Sequence, residues 1–466
     1  MCAKCHGRDG QGVKGKYDDA LRGDRSLEKL ARYINRSMPD DDPGKCTKDQ
    51  AAAVAAYIYD AFYSREARFR NNPQRVELVR LTNKQYVNTV ADIFKHFTGN
   101  DGMIPKERGL HATYYATENF DGAKKAFARV DRAVDFDFGT GRPDQEHFPS
   151  NNFSIQWEGS LLSDESGEYE FLLKTPNGVR LWINDMDEPI IDAWVSSGQT
   201  TDHRAKIHLI GGRPYPLRLN FFRFQDKTAA ISLYWKPPHG AEEVISARSL
   251  IPSGSSPTFV VTTPFPADDS SMGYERGVAI SKAWDEATTQ AAIESANYAV
   301  ANLDRLSGSK PQDTNRVAKA EAFCAAFVAE AFRRPLAEDQ KRLFVEDQFK
   351  KAKKLEDAVK RVVLLALKSP QFLYLGLQRE KPDDFEIATR LSFGMWDSLP
   401  DDELQKLAGQ GQLHTHEQVA GQASRMLNDA RAHAKMQTFL HHWLQMDRVE
   451  SLSKDDKLFP GFTPET

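Results

Sequence analysis

At 466 residues the chain has room for roughly three or four domains, and 40% hydrophobic residues can supply a substantial buried core. No run of about 18 apolar residues occurs, so no transmembrane helix is encoded. The 62 basic and 66 acidic residues leave a formal charge of −4, and no arginine- or lysine-rich face points to nucleic acid.

The chain opens on Cys2-Ala3-Lys4-Cys5-His6. On one helical turn Cys2 and Cys5 share a face, where each can form a thioether with a haem vinyl, and His6 follows directly as the proximal iron ligand. This order of two thiols and an imidazole is the attachment signature of one covalent haem c. A zinc site would need a second Cys/His pair, but only Cys46 and Cys324 remain, far apart and expected as free thiols. A second axial ligand is offered by Met38 in Ser37-Met38-Pro39-Asp40, a loop able to fold back over the porphyrin. Before it, Leu27, Leu30, Ala31 and Ile34 recur at helical spacing behind a Ser26 cap. After it, Thr47-Lys48-Asp49-Gln50 reads as a capping box that opens a helix carrying Ala51, Val54, Ala55, Ile58 and Phe62 on one face.

Haem motif, short helix, Met-Pro loop and closing helix follow the order of a small class I cytochrome c. Residues 1–64 resemble the cytochrome c module of planctomycete-type multidomain proteins. A His/Met ligand pair fills both axial positions and raises the potential, which favours electron transfer over peroxide or oxygen chemistry. Haem c is attached outside the cytoplasm, yet Met1 abuts Cys2, and the N-terminal helix of a class I cytochrome is missing. The sequence is therefore expected to be a fragment of an exported protein, periplasmic or displayed at the cell surface.

Residues 65–80, rich in arginine and broken by Asn71-Asn72-Pro73, read as a tether. Thr82 and Gln85 form a second capping box, and Tyr86, Val90, Ile93 and Phe97 make an apolar stripe, so residues 65–110 hold a linker and a first helix.

From 111 to 255 the pattern turns to β. Ile155, Trp157, Gly159 and Leu161 alternate, as do Tyr169, Phe171 and Leu173; Val179, Leu181 and Ile183; Leu217, Leu219 and Phe221; and Ile231, Leu233 and Trp235. Evenly spaced strands without helices between them predict an antiparallel sandwich. Ser166-Gly167-Glu168-Tyr169-Glu170-Phe171, Asn177-Gly178-Val179-Arg180-Leu181-Trp182-Ile183 and Gly211-Gly212-Arg213-Pro214-Tyr215 resemble the protective-antigen-type lectin domain. The resemblance implies a polysaccharide ligand. Where its sugar-binding members carry adjacent aspartates for calcium, this chain has Pro176-Asn177, which removes the anionic ligands a hard cation needs. Trp182 and Trp194 can stack on a sugar ring, but Trp182 sits in an alternating strand and is expected in the core.

Beyond the sandwich the chain reads as helical, with stretches near 276–306, 314–333, 338–354, 356–369, 383–396, 417–428 and 431–447 punctuated by prolines. Arg80-Leu81-Thr82-Asn83-Lys84-Gln85-Tyr86, Ala331-Phe332-Arg333-Arg334-Pro335-Leu336 and Trp396-Asp397-Ser398-Leu399-Pro400-Asp401 resemble helical domains of unknown function found downstream of planctomycete-type cytochromes. In that family the first helix directly precedes the segment matched by residues 265–306. The expected architecture is thus multidomain α+β: a small all-α class I cytochrome c, then an antiparallel β-sandwich inserted in an all-α helical region. Residues 256–310 continue the helical domain interrupted by the sandwich, and 311–380 and 381–466 form further helical domains, the last truncated.

No second chemistry stands out. His441 and His442 lack the i, i+4 spacing of a helical metal site, and His414 and His416 read as solvated loop residues. Asp401-Asp402-Glu403 reads as an acidic first helical turn, and Arg333-Arg334 as a helix end with cations against the dipole. These features lead to the expectation of a haem electron-transfer protein with a carbohydrate-recognition sandwich and a protein redox partner. Two alternatives stand beside it: a haem-dependent oxidoreductase acting on carbohydrate or peroxide, and a surface carbohydrate-binding protein whose haem is vestigial.

Overall fold

The computed structural model describes residues 3–7, 10–64, 67, 79–99, 105–195, 201–376, 382–446, 454 and 457–459. They fall into two units, Met1–Glu77 and Leu78–Thr466. Cys2 and most of the tether lie outside the described residues.

In the first unit, α1 (Ala3–His6) is a single turn, followed by α2 (Leu27–Ser37) and α3 (Lys48–Ile58). The Ser26 side chain accepts from the Lys29 N–H at the start of α2, and Thr47 and Gln50 cap α3 reciprocally. Leu30 and Ile34 close on Ala51 and Ala55, whose small side chains let the two helices approach. Phe62 departs from the expected stripe. Residues Tyr59–Tyr63 widen into a π-turn closed by Ser64 N–H to the Tyr59 carbonyl at 2.7 Å, and the extra residue rotates Phe62 away, so that it lies against Gly10.

The second unit begins with β1 (Val79–Arg80) and α4 (Asn83–Thr98), the latter opened by the Thr82–Gln85 capping box. There follow β2 (Leu110–Tyr115), β3 (Lys125–Asp131), β4 (Asp135–Gly139), β5 (Phe153–Leu162), β6 (Gly167–Lys174) and β7 (Gly178–Ile183). Next come β8 (Ile191–Ala193), β9 (Asp202–Leu209), β10 (Pro214–Arg223), β11 (Ala229–Lys236), β12 (Glu243–Val244) and β13 (Leu250–Ile251). One sheet runs β3-β2-β5-β10-β7-β8 with β13 also on β5; the other runs β12-β11-β6-β9 with β4 on β11, and every pairing is antiparallel. The predicted alternation places Trp157, Tyr169, Phe171, Leu181, Leu219 and Trp235 between the sheets. Each fully buried aromatic or aliphatic side chain of this kind contributes roughly 1.5–3 kcal/mol. Trp182 is buried but belongs to the opposite face of β7, where the Arg218 guanidinium lies 4.1 Å from its ring centroid. The sandwich starts and finishes at one place, since β2 and β13 both pair with β5 and the Gly109 N–H donates to the Leu250 carbonyl at 3.1 Å.

A helical core joins Leu81, Tyr86, Val90 and Phe94 to residues from beyond the sandwich, among them Trp284, Phe327 and Val362. Its later helices are α5 (Lys282–Ala301), α6 (Arg316–Phe332) and α7 (Leu355–Leu367). The helix expected from 276 starts only at Lys282 because the preceding segment is extended along β1. Arg80 N–H donates to the Gly277 carbonyl and Arg80 Nε to the Ala279 carbonyl, an approach a side chain at Gly277 would block. Across the same strand, β14 (Tyr374–Leu375) pairs antiparallel with β1. Arg333 does more than face a dipole: fully enclosed, it donates to the carbonyls of Gln371, Phe372 and Tyr374, and burial lowers its pKa to about 10. The chain continues with α8 (Asp384–Trp396), α9 (Asp402–Gly409), α10 (His416–Met426) and α11 (Ala430–Trp443), gathered around Trp396, Leu404, Leu413 and Met426. Asp401 caps α9, as its acidic first turn implied.

Candidate functional site

In the first unit, Cys5 and His6 share the single turn α1, with Cys5 exposed and His6 half-buried. The His6 ring meets Tyr17 edge-on at 4.5 Å. Burial lowers the His6 pKa, which favours the neutral imidazole that a metal needs, and its Nδ1 is shut off from solvent without a hydrogen-bond partner among the described residues. Met38 lies on the cluster of α2 and α3, as does Tyr63. Burial raises the Tyr63 pKa, and the nearby Tyr17 phenol, which meets His6, adds to the rise. A half-buried imidazole whose pKa burial lowers, the thiol just before it and a half-buried thioether in the same unit are the donor types that a covalently held haem would use.

The second unit holds a different cluster, at the seam between the sandwich and the helices. Glu165 occupies the turn between β5 and β6, where the Tyr169 hydroxyl donates to its carbonyl at 3.0 Å and accepts from its N–H at 3.3 Å. The Gly211-Gly212 turn presses onto this point. A Cβ at Gly211 would sit 2.7 Å from Glu165 Cα, and one at Gly212, whose φ is +75°, would sit 2.6 Å from Arg431 Cα. Helix α11 therefore docks directly on the turn. Ala434, Thr438 and His441, spaced i, i+4, i+7, share its inner face, and His441 Nδ1 comes within 3.4 Å of Glu165 Oε2. From the loop after β11, His239 Nδ1 reaches the same oxygen at 2.9 Å. The Glu165 side chain is only 8% exposed, against 36% for His239 and 22% for His441.

All three residues line both a cavity of about 290 Å³ and a neighbouring one of about 210 Å³. Into the larger cavity comes Lys84 of α4, whose Nζ donates to Thr438 Oγ1 at 2.6 Å. Desolvation lowers the Lys84 pKa, while desolvation raises that of Glu275, which lines the same cavity. Perturbed, opposed groups beside a cavity are what reactive and binding sites share. An ionic seam flanks the cluster: Arg213 donates from Nε and Nη2 to both Asp92 carboxylate oxygens at 3.1 and 2.7 Å, and Ser398 Oγ donates to the same carboxylate.

Reading the sequence missed Glu165, His239, Lys84 and Glu275, and judged His441 by its neighbours on one helix. The only local hint was an imidazole on the inner face of an amphipathic helix. His414 is exposed, as expected of a solvated loop residue, and its Nδ1 lies 2.7 Å from Asp384 Oδ1. At the position of the lectin aspartates, the buried Asn177 amide donates to Asp226 Oδ2 at 2.9 Å and to the Thr228 carbonyl at 3.0 Å, so a neutral side chain is tied into the loop.

Residues 1–58 match the family model described as cytochrome C oxidase, cbb3-type, subunit III; residues 106–249 match the PA14 domain; and residues 383–466 match a protein of unknown function, DUF1592. The chain combines a cytochrome c-type segment with a PA14 domain. Over 145 residues it is 32% identical to the anti-sigma-I factor RsgI3 of Acetivibrio thermocellus, a stretch covering 31% of this chain and 21% of that protein. Among solved structures it is similar to an anti-sigma factor domain-containing protein, with 30% identity, 33% of this chain and 51% of that one covered, and a TM-score of 0.29. It is also similar to the PA14 domain of MpAFP antifreeze protein, with 15% identity, 34% and 99% covered, and a TM-score of 0.27. The chain thus spans about a fifth of the curated relative and about half of the first of these structures. No helix of the described residues is long and apolar enough to cross a membrane.

Proposed function

We propose that the chain is a c-type haem electron-transfer protein, working in the periplasm or at the cell surface, whose PA14 sandwich recognises a polysaccharide. In this reading Cys2 and Cys5 anchor one haem, and His6 and Met38 are its axial ligands. The haem supplies a one-electron couple to a protein redox partner. The observation that carries the reading is the half-buried His6, whose pKa burial lowers, directly after Cys5 in a segment matching a cytochrome c family. Met38, lying among Leu30, Ile34, Ala51 and Ala55, has the apolar surroundings that keep a thioether ligand from exchange with water.

The PA14 domain is read as an insertion in the helical region, because its two ends meet on β5 while residues on both sides of it share one core. Its glycan recognition is independent of calcium, since Asn177 brings no charge to the loop and is already bound to Asp226.

The test is the absorption spectrum of the chain, expressed with an export signal and the cytochrome maturation machinery, beside that of Met38→Ala. Covalent haem with a methionine-to-ferric-iron charge-transfer band that the substitution removes supports the closed electron-transfer centre. Covalent haem without that band in the parent chain refutes the Met38 assignment and points to an open iron.

A further inference from the structure

We propose that Glu165, His239 and His441 form a binding site for one divalent transition-metal ion, separate from the haem and built at the seam of sandwich and helices. Three chain segments, the β5–β6 turn, the loop after β11 and α11, each deliver one donor, and one donor atom from each lies within 4.8 Å of the others. Both imidazoles turn Nδ1 toward a single carboxylate oxygen, at 2.9 and 3.4 Å. In a tetrahedral site with metal–ligand bonds of about 2.0–2.2 Å, neighbouring donors stand roughly 3.3–3.6 Å apart, near the two separations from Glu165 Oε2, while the two imidazoles, within 4.8 Å of each other, would draw together on an ion.

The donor set restricts the ion. Two imidazoles and one carboxylate suit zinc in its catalytic form or a non-haem ferrous ion, and not calcium or magnesium, which require a shell of oxygens. Three protein ligands leave at least one coordination position, and it opens on space: the trio lines both cavities. The support behind the ligands is rigid. Glu165 is pinned through its backbone by Tyr169, and the close approach at Gly211 leaves it no room to shift. A His–Glu ion pair alone would account for His239, but not for a second imidazole aimed at the same oxygen without a hydrogen bond of its own to it. Lys84 and Glu275 line the larger cavity together with the trio and give it polar groups that a small bound molecule could meet.

The chain as purified, stripped of loose metal with a chelator, would be titrated with Zn²⁺ by calorimetry and with Co²⁺ by difference absorption against the metal-free chain. One equivalent of each is expected, with Co²⁺ giving the intense d–d bands of a four- or five-coordinate site. Glu165→Gln, His239→Asn and His441→Asn should each weaken Zn²⁺ by at least about 100-fold, beyond what loss of an outer-sphere contact costs. His111→Ala, an exposed imidazole on β2, should leave the affinity unchanged within about threefold. The far-UV circular dichroism of each variant shows whether it folds, and the Co²⁺ spectrum of the parent chain depends on no variant. A parent chain that takes up neither ion in stoichiometric amount, or folded variants that bind Zn²⁺ as well as the parent, would overturn the site and leave an ion pair in its place. Zinc is read by heat and cobalt by difference from the metal-free chain, so the outcome does not depend on whether the cytochrome assignment holds.

Discussion

Arg213→Ala tests how the sandwich is fastened to the helices. Arg213 and Asp92 are 6% and 15% exposed, and two parallel hydrogen bonds join them. Removing one partner of a buried pair costs about 3–5 kcal/mol, because the other charge is left desolvated. Asp92 would keep its bond from Ser398 and the Arg431 guanidinium at 3.9 Å, which puts the expected loss at the low end. About 3 kcal/mol corresponds to roughly a 100-fold shift in the local opening equilibrium. A chain of several domains does not unfold in two states, so the readout must be local. Hydrogen exchange resolved by peptide should show faster opening in α4, in the Gly211-Gly212-Arg213 turn and in α11, with the N-terminal unit unaffected. A double-mutant cycle with Asp92→Asn should return a coupling of at least about 1.5 kcal/mol. Unchanged exchange in these three segments, or a coupling below about 0.5 kcal/mol, would refute the seam as a fastening.

The same carboxylate gives a pH dependence. Burial alone would raise the Asp92 pKa, but Arg213, Arg431 and Ser398 outweigh it and hold the group below its ordinary 3.8. Its contribution to stability is therefore complete above that value and is lost as pH falls through the lower folded value; acid titration of α11 exchange should show this loss, and Asp92→Asn should abolish it. Gly212→Ala forces a side chain into a φ of +75° and against Arg431 Cα, so α11 should lose about 2 kcal/mol of docking stability, measured by the same exchange. Arg333→Met should destabilise the helical region by about 3 kcal/mol, measured by peptide-resolved hydrogen exchange around Gln371–Leu375, since carbonyls at Gln371, Phe372 and Tyr374 lose their donor. Chelating calcium should change neither the melting of the sandwich nor glycan binding on an array, whereas a loss of binding would contradict the reading of Asn177.

Much of the fold was legible because it follows from local chemistry. The capping boxes at Thr47 and Thr82 begin helices where their residue order says they must, and the alternating runs at 155–161, 169–173 and 179–183 all became strands with the expected side chains inward. Failures came where the local residues were not weighed. The segment before Lys282, Arg276-Gly277-Val278-Ala279-Ile280-Ser281, is poor in helix formers and is claimed by Arg80, and Trp182, one residue out of phase with Val179, Leu181 and Ile183, is buried by Arg218 on the outer face. Strands β3, β4 and β8 are short or half-exposed and carry weak alternation, so pattern alone did not announce them.

The two candidate sites show the same division. The haem motif is written in five consecutive residues because thioether attachment and iron ligation must act within one turn of chain. Glu165, His239 and His441 have no such constraint: they are 74 and 202 residues apart in sequence, and what joins them is the docking of α11 on a glycine turn. Neither His441 nor Glu165 carries information alone. An imidazole on a helix and an acid in a hairpin turn are common, and only the close approach at Gly211 and Gly212 converts them into neighbours. It follows that the C-terminal helices act on the sandwich rather than merely follow it. Substituting Gly212 should accordingly disturb any ion held by Glu165 and His441 even though the glycine touches no ligand atom.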